Sequence, residues 1–93
     1  MRVRWLRKAL ANLDAEASYI ADDNPAAAHL VVARIMTAVS HLAKQPRLGR
    51  PGRVPGTREL VVSRTRYLVP YRVRGNVVEN LCVFHLSRRL PQK

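Results

Sequence analysis

Arginine residues dominate the second half of this 93-residue chain, and their side chains and spacing are suited to binding or catalysis. They are interleaved with Tyr67 and Tyr71 and followed by His85. Guanidinium groups hold phosphates, and a histidine or tyrosine can move protons for an attacking ribose 2′-hydroxyl, so this set would suit RNA cleavage. The same arginines would equally suit binding to an acidic surface or DNA without any bond being broken. They are Arg50, Arg53, Arg58, Arg64, Arg66, Arg72, Arg88 and Arg89.

Other enzyme chemistries are not indicated by the sequence. It has no glycine-rich phosphate loop leading into a helix, no CxxC and no HExxH motif. His29 and His41 stand twelve positions apart on one predicted helix, too far to share a metal unaided. The carboxylates cluster before Asn24, and Glu59 and Glu79 stand alone on predicted strands, so they form no acid/base pair. The sequence therefore predicts neither a metal site nor a cofactor.

The charge balance indicates the class of partner. Seventeen basic residues, fourteen of them arginine, stand against six acidic residues, which gives a formal net charge of +11. Such an excess draws the chain toward polyanions, whether nucleic acid, a ribosome or an acidic protein. Self-repulsion lowers the stability of the isolated chain, so we expect an acidic partner to stabilise it by mass action.

Length, cysteine content and hydropathy indicate the compartment. The apolar fraction of 47% is sufficient for one core without metal or disulfide staples. The single cysteine, Cys82, lies in an apolar run and cannot form an internal bridge, which favours a packed thiol in a reducing environment. We expect no segment long and apolar enough to span a membrane, and the N-terminal residues do not resemble a signal peptide. A bacterial cytoplasm is the predicted location.

The elements that must position the arginines begin with an edge strand and a helical hairpin. Val3–Trp5 is short and alternating, and from Leu6 the apolar spacing becomes helical. Asn24 is a suitable N-cap, with Pro25 at the first position of a second helix that runs to about Lys44. The two apolar seams are Leu6, Leu10, Leu13, Ala17 and Ile20, and then Ala28, Val32, Ile35, Val39 and Leu42, widened by Val31 and Ala38.

Strands follow a proline- and glycine-rich loop over residues 45–57. We predict strands at Leu60–Val62, Tyr67–Arg74 and Val77 to about Leu86, the last two joined by a two-residue turn of type II′ with Gly75 first. Pro70 lies within the second strand and requires an edge or a bulge there. The last strand contains the run Leu81-Cys82-Val83-Phe84, which predicts that both of its faces are covered. Because a helical hairpin covers one face only, the other is exposed or covered by a partner.

Three stretches of this part of the chain resemble the ParE/RelE superfamily of small toxins from type II toxin–antitoxin pairs. They are residues 49–62, then Tyr67-Leu68-Val69-Pro70-Tyr71-Arg72-Val73, and finally Val83-Phe84-His85-Leu86-Ser87-Arg88-Arg89-Leu90-Pro91. The resemblance covers nearly the whole chain as one domain, residues 1–93. It implies an α+β fold of order β-α-α-β-β-β, with a helical hairpin packed on a mainly antiparallel sheet.

The chain departs from the RelE-like ribosome-dependent ribonucleases at two positions. With Tyr67 and Tyr71 on the two tyrosines of their central strand, Leu68 occupies the position of an arginine, and Leu86 follows His85 where some members have a tyrosine. The resemblance is therefore closer to ParE, whose relatives poison DNA gyrase and have no catalytic site of their own. It implies a gyrase-poisoning toxin that forms a hetero-oligomer with an acidic antitoxin.

Two alternatives to a gyrase-poisoning toxin remain. One alternative is a RelE-like mRNA endoribonuclease acting through His85, Arg66, Tyr67 and Arg88; the other is a non-toxic member that only binds antitoxin.

If the protein is ParE-like, the resemblance implies that the antitoxin lays a C-terminal helix or strand across an apolar groove. The expected target-binding residues are Arg50, Arg53, Arg58, Arg72, Arg88 and Arg89. The expected antitoxin-binding residues are Trp5, Leu81, Val83 and Phe84, with Trp5 also a candidate core anchor.

Overall fold

A helical hairpin lies on one six-stranded mixed sheet in the computed structural model, which describes residues 1–87. The elements are β1 (Arg2–Trp5), α1 (Arg7–Asp23), α2 (Pro25–Ser40) with a 3₁₀ turn (His41–Ala43), β2 (Arg50–Pro51), β3 (Arg58–Val61), β4 (Tyr67–Arg74), β5 (Val77–Asn80) and β6 (Phe84–His85). The strand order is β1-β5-β4-β3-β2, and β6 pairs with β4. Only β1 and β5 pair in parallel among the strands described. The predicted α+β fold is confirmed, with β2 and β6 as short additions.

The junction of the two helices forms as its sequence predicts. The backbone N–H of Asn24 donates to the Ile20 carbonyl at 2.9 Å and ends α1, while its side-chain Oδ1 accepts from the Ala27 N–H at 3.1 Å and begins α2. Pro25 takes the first helical position, where its missing N–H costs no hydrogen bond. The regular helix ends at Ser40 rather than near Lys44, because the chain tightens into the 3₁₀ turn.

The buried face of α1 differs from the predicted seam. Ala9 and Leu13 are buried, whereas Leu10 is 50% exposed, so its assignment to the core was wrong. Leu6 has extended dihedrals (φ −70°, ψ 157°) and is the N-cap. Because Leu6 precedes the helix, counting the apolar period from it shifted the predicted stripe onto Leu10.

The core lies between the hairpin and the inner face of the sheet, and Tyr71 anchors the long loop to it. The Tyr71 hydroxyl donates to the Pro46 carbonyl at 2.7 Å and accepts from the Gly49 N–H at 2.9 Å. A Cβ on Gly49 would lie 2.6 Å from Tyr71 Cε1, so this close approach requires glycine. The buried core cluster comprises Leu13, Ile35, Val39, Leu42, Leu60, Val62, Tyr67, Val69, Tyr71, Val78 and Val83.

Pro70 lies at the predicted irregularity, which interrupts the strand beside it. Tyr71 pairs with Asn80, whereas Leu68 pairs with Phe84, so residues 81–83 face only residues 69–70. The Leu81 N–H donates to the Pro70 carbonyl at 2.9 Å. Because the N–H and C=O of one residue in an antiparallel strand point to the same side, Pro70 lacks a donor on the side that faces residues 81–83. The prediction of one continuous strand from Val77 to Leu86 was wrong, because this bulge divides it into β5 and β6.

The turn between β4 and β5 has the predicted geometry. Gly75, the first residue of the β4–β5 turn, has φ +60°, whereas Asn76 does not have a positive φ. A type II′ turn requires this combination, so the predicted turn type is confirmed.

The expectation that no segment has the length and composition of a membrane span was wrong. The stretch Pro25–Ala43 meets that requirement with a mean hydropathy of 1.4, and 22% of it is buried here. Length and composition alone do not separate a span from the core helix of a soluble protein.

Candidate functional site

Tyr67 and His85, two of the candidate nuclease residues, come together on the helix-facing side of the sheet. Their rings meet edge to face with centroids 5.1 Å apart. The Tyr67 side chain is 3% exposed, and its hydroxyl donates to Glu16 Oε1 at 2.9 Å. His85 Nδ1 accepts from the Ser87 N–H at 3.2 Å. The phenol of Tyr67 therefore bonds to α1 inside the protein rather than facing a bound substrate.

The other groups of a phosphodiester-cleaving site are not assembled around this pair. Arg66 precedes β4 and is exposed, whereas Tyr67 is buried. Leu68, at the position of the nuclease arginine, is completely buried and pairs with Phe84. Arg88, the remaining candidate, lies outside the described residues, as does Arg89. Within residues 1–87, the geometry of the Tyr67–His85 contact fits a structural role better than a catalytic one.

Three of the arginines expected to bind the target surround the long loop and β3. Arg50 Nη2 lies 3.3 Å from Glu59 Oε1, and the backbone N–H of Arg53 donates to Glu59 Oε2 at 3.4 Å. Arg58 Nη1 donates to the Gly49 carbonyl at 2.7 Å, which ties its guanidinium to the loop. Arg58 thus has a structural partner, whereas the Arg50 side chain remains 56% exposed.

Arg72 belongs to a second group of arginines, on the face of the sheet away from the helices. Its Nε donates to Glu79 Oε1 at 2.7 Å, and Arg74 Nε lies 3.7 Å from the same oxygen. The hydrogen bond from Arg72 lowers the pKa of Glu79 below its usual 4.5, and the charges of Arg72, Arg74 and Arg4 reinforce that lowering against the effect of desolvation. Arg4 pairs with Glu79, and Arg2 pairs with Val77. We call Arg2, Arg4, Arg72, Arg74 and Glu79 the arginine cluster.

Sequence reasoning found only Arg72 of these four arginines. The available signal was the alternation of Arg2 with Arg4 in one strand and of Arg72 with Arg74 in another, since residues two apart share a face. The missing information was the parallel pairing of β1 with β5, which places the two alternating pairs on either side of Glu79 and Val77.

The four residues expected to bind an antitoxin do not form one surface. Trp5 packs against the core cluster, which fits its alternative role as a core anchor. Val83 is 3% exposed within that core, while Leu81 is half-buried in the bulge. Phe84 pairs with Leu68 on the opposite face and is 38% exposed. The run from Leu81 to Phe84 is thus divided between the two faces of the sheet by the bulge.

An apolar groove lies between α2 and β3, and it is lined by residues other than those from which the sequence analysis expected an antitoxin-binding groove. It has a volume of about 630 Å³ and is lined by one side of α2 and the 3₁₀ turn, by residues 48–50 and by residues 59–64. Leu48 and Val61 are 49% and 45% exposed there. Arg34 Nη1 donates to the carbonyl of Arg64, a residue with left-handed backbone dihedrals (φ 63°), at 3.1 Å. We call this concavity the α2–β3 groove.

The groove contains an open sheet edge. β2 pairs only with Arg58 and Glu59, so the described residues leave the next part of β3 uncovered on that side. The Val62 N–H donates to the Tyr67 carbonyl at 3.0 Å, toward β4. Because successive backbone groups of a strand alternate in direction, the N–H and C=O of Val61 point into the groove. An extended segment could hydrogen-bond to Val61 there.

Comparisons with known proteins agree with this architecture. A family profile described as "ParE toxin of type II toxin-antitoxin system, parDE" matches residues 3–90. A curated relative from Sinorhizobium fredii, "Putative toxin Y4kP", is 50% identical over 91 residues, which cover 98% of this chain and 94% of the relative. "Toxin RelE2" of Caulobacter vibrioides is 36% identical over 87 residues, 94% of this chain and 97% of that protein.

A solved structure gives the same result at the level of the fold. The chain superposes with a TM-score of 0.83 and 34% identity on a chain of the "Chromosomal ParDE TA system from P. aeruginosa", covering 92% of this chain and 96% of that one. The fold is therefore that of a small toxin of a type II toxin–antitoxin pair. The chain belongs to the ParE toxin family, and this membership implies an antitoxin partner.

Proposed function

We propose that this protein arrests growth by poisoning DNA gyrase in the bacterial cytoplasm, and that an acidic antitoxin neutralises it from the α2–β3 groove. The observation that carries the proposal is the groove itself, in which apolar side chains lie beside an unpaired strand edge. Family membership supports the toxin class. The target rests on the closer resemblance to ParE and on the absence of an assembled nuclease centre within residues 1–87.

The groove matches the chemistry of an extended acidic segment. Such a segment would exchange main-chain hydrogen bonds with Val61 and place alternate apolar side chains against Leu48 and α2. Arg34, Arg50 and Arg64 line the groove and would attract carboxylates. The net charge of +11 would steer the same partner toward the toxin and raise its association rate.

A proline substitution tests strand addition with little effect on the toxin's own sheet. Val61→Pro removes an N–H that points into the groove, while the β3–β4 hydrogen bond from Val62 is kept. Val61→Thr is the matched control, since it keeps both the N–H and a β-branched side chain. We expect Val61→Pro to weaken binding of the acidic antitoxin by at least about tenfold, and Val61→Thr to leave it nearly unchanged. Equal affinities of the two variants would exclude pairing at Val61.

The target is tested with purified toxin separated from its antitoxin. Gyrase supercoiling should be inhibited, with linear DNA appearing after protein denaturation. No effect from demonstrably folded toxin would refute gyrase poisoning and would lead to the second candidate, ribosome-dependent mRNA cleavage. The contact between Tyr67 and His85 is the observation that favours that alternative. Loss of mRNA cleavage in translating extracts on His85→Ala would establish it, and a folded toxin inactive in both assays would be a non-toxic antitoxin binder.

A further inference from the structure

The arginine cluster has a regular layout on the solvent-facing side of the sheet. Directly opposite residues place Arg4, Glu79 and Arg72 in one row across β1, β5 and β4, and Arg2, Val77 and Arg74 in the next row. Neighbouring strands lie about 4.8 Å apart and residues two apart in a strand about 6.7 Å apart. The Cα atoms of the four arginines therefore lie at the corners of an area of about 6.7 by 9.6 Å, since β5 separates β1 from β4.

Glu79 supports this layout without neutralising it. Its side chain is 7% exposed, so it lies beneath the arginines and contacts Arg72 and Arg74 through their Nε atoms. Within residues 1–87 these two ion pairs use the Nε atoms, and no hydrogen bond is found from the terminal nitrogens of Arg72 and Arg74. Four guanidinium groups against one carboxylate leave an excess charge of +3. Arg58 and Arg34 differ, because their Nη1 atoms donate to backbone carbonyls.

We infer that the arginine cluster is a binding site for the phosphodiester backbone of a nucleic acid. Arginine forks with both terminal nitrogens available match phosphate oxygens in charge and geometry. A protein partner would instead require an apolar centre in its interface, and Val77 is the only apolar side chain between the two arginine pairs in the described sheet. Nucleic-acid interfaces are more polar and more positively charged, as this surface is.

The cluster is separate from the proposed antitoxin site and independent of the proposed target. The α2–β3 groove lies toward the β2 edge of the sheet, whereas the cluster extends to β1 at the other edge. Binding to naked nucleic acid requires neither gyrase nor antitoxin. A negative result would consequently leave the proposed function standing, and failure of gyrase poisoning would leave this inference standing.

The test compares two triple variants that lose the same formal charge. Arg2→Gln, Arg4→Gln and Arg74→Gln remove three members of the cluster but keep Arg72 on Glu79. Arg7→Gln, Lys8→Gln and Lys44→Gln remove three exposed cations elsewhere. Fluorescence anisotropy with labelled short duplex DNA, single-stranded DNA and RNA gives affinity as a function of salt concentration. Circular dichroism checks that each variant is folded.

The expected result is a smaller salt dependence for the cluster variant alone. Each lost phosphate contact removes about 0.9 from the magnitude of the log–log slope for duplex DNA, or about 0.7 for single strands, so three contacts remove about 2.7 or 2.1. The probe with the largest loss identifies the kind of nucleic acid. If the triple variant does not fold, the single variant Arg74→Gln is measured instead, because that side chain is 69% exposed. The magnitude of its log–log slope for duplex DNA should decrease by about 0.9.

Three results would overturn the inference. Equal losses in the two triple variants would show that net charge, rather than this layout, drives binding. Unchanged affinity and slope in the folded cluster variant would exclude phosphate contacts there. Binding of labelled polyglutamate that depends on the cluster, with no cluster-dependent binding of any nucleic acid, would assign the surface to an acidic polypeptide.

Discussion

The hydroxyl of Tyr71 gives the most sharply defined stability prediction, because it joins the long loop to the core through two hydrogen bonds. It donates to the Pro46 carbonyl at 2.7 Å and accepts from the Gly49 N–H at 2.9 Å, and the Tyr71 side chain is fully buried. Tyr71→Phe keeps the ring in the core and removes both bonds. It leaves a buried N–H and a carbonyl without their partner.

The expected cost follows from those two bonds. A typical intramolecular hydrogen bond contributes about 0.5–1.5 kcal/mol, and a buried donor left without a partner costs about 1–3 kcal/mol. We therefore expect Tyr71→Phe to lower the free energy of unfolding by about 2 kcal/mol. For a domain of this size, that corresponds to a decrease in Tm of about 8–16 °C.

Urea unfolding, followed by the fluorescence of the single tryptophan, Trp5, measures this change. Tyr67→Phe is a graded comparison, because it removes the hydrogen bond of 2.9 Å to Glu16, which is only part-buried, and we expect a smaller effect. A Tyr71→Phe variant within about 0.5 kcal/mol of the wild type would refute the reasoning, since the two bonds would then contribute less than one ordinary bond.

Three further predictions test the loop, the cluster and the candidate histidine. Gly49→Ala should destabilise the protein by about 1–3 kcal/mol in the same urea assay, because its Cβ would lie 2.6 Å from Tyr71 Cε1 and the packed loop has little room to shift; an unchanged midpoint would contradict the close approach. Glu79 has a pKa lowered by Arg72, so its ionised form stabilises the fold above the ordinary value of 4.5, and this contribution is lost as the pH falls through the folded-state pKa. Urea midpoints measured at decreasing pH should therefore fall less steeply for Glu79→Gln across that window, and identical profiles would show that the carboxylate has no such linkage. His85→Ala should keep growth arrest and leave cellular mRNA intact, because His85 contacts Tyr67 and Ser87 rather than an assembled phosphate site; loss of toxicity together with loss of mRNA cleavage would support the nuclease alternative.

Local signals in the sequence were enough to predict the helical hairpin, the β4–β5 turn and the irregularity at Pro70. Asn24 and Pro25 begin α2 through dihedral and hydrogen-bonding preferences that operate within three residues. Gly75 permits the positive φ of its turn, and Pro70 lacks an N–H in any fold. The basic composition and the likeness of the later segments to ParE likewise required no coordinates to recognise.

The helix-facing residues show where this local reasoning ends. Leu10 fits the helical period as well as Leu13 does, yet the tertiary packing of α1 buries Ala9 and Leu13 and leaves Leu10 half exposed. Val83 was expected at a partner interface and instead completes the core, because the bulge beside Pro70 changes which residues of the strand face the helices. Neither outcome follows from residue spacing alone.

The two surfaces that carry the proposals were decided only by tertiary structure. The α2–β3 groove exists because β2 pairs with just two residues of β3 and leaves the backbone of Val61 toward α2. The arginine cluster exists because β1, from the start of the chain, pairs in parallel with β5, which brings Arg4 and Arg72 to either side of Glu79. The sequence determined which residues are charged, apolar or able to turn, through properties that act over a few positions. The choice of strand partners and register depends on burying the whole core at once, and that choice created both surfaces.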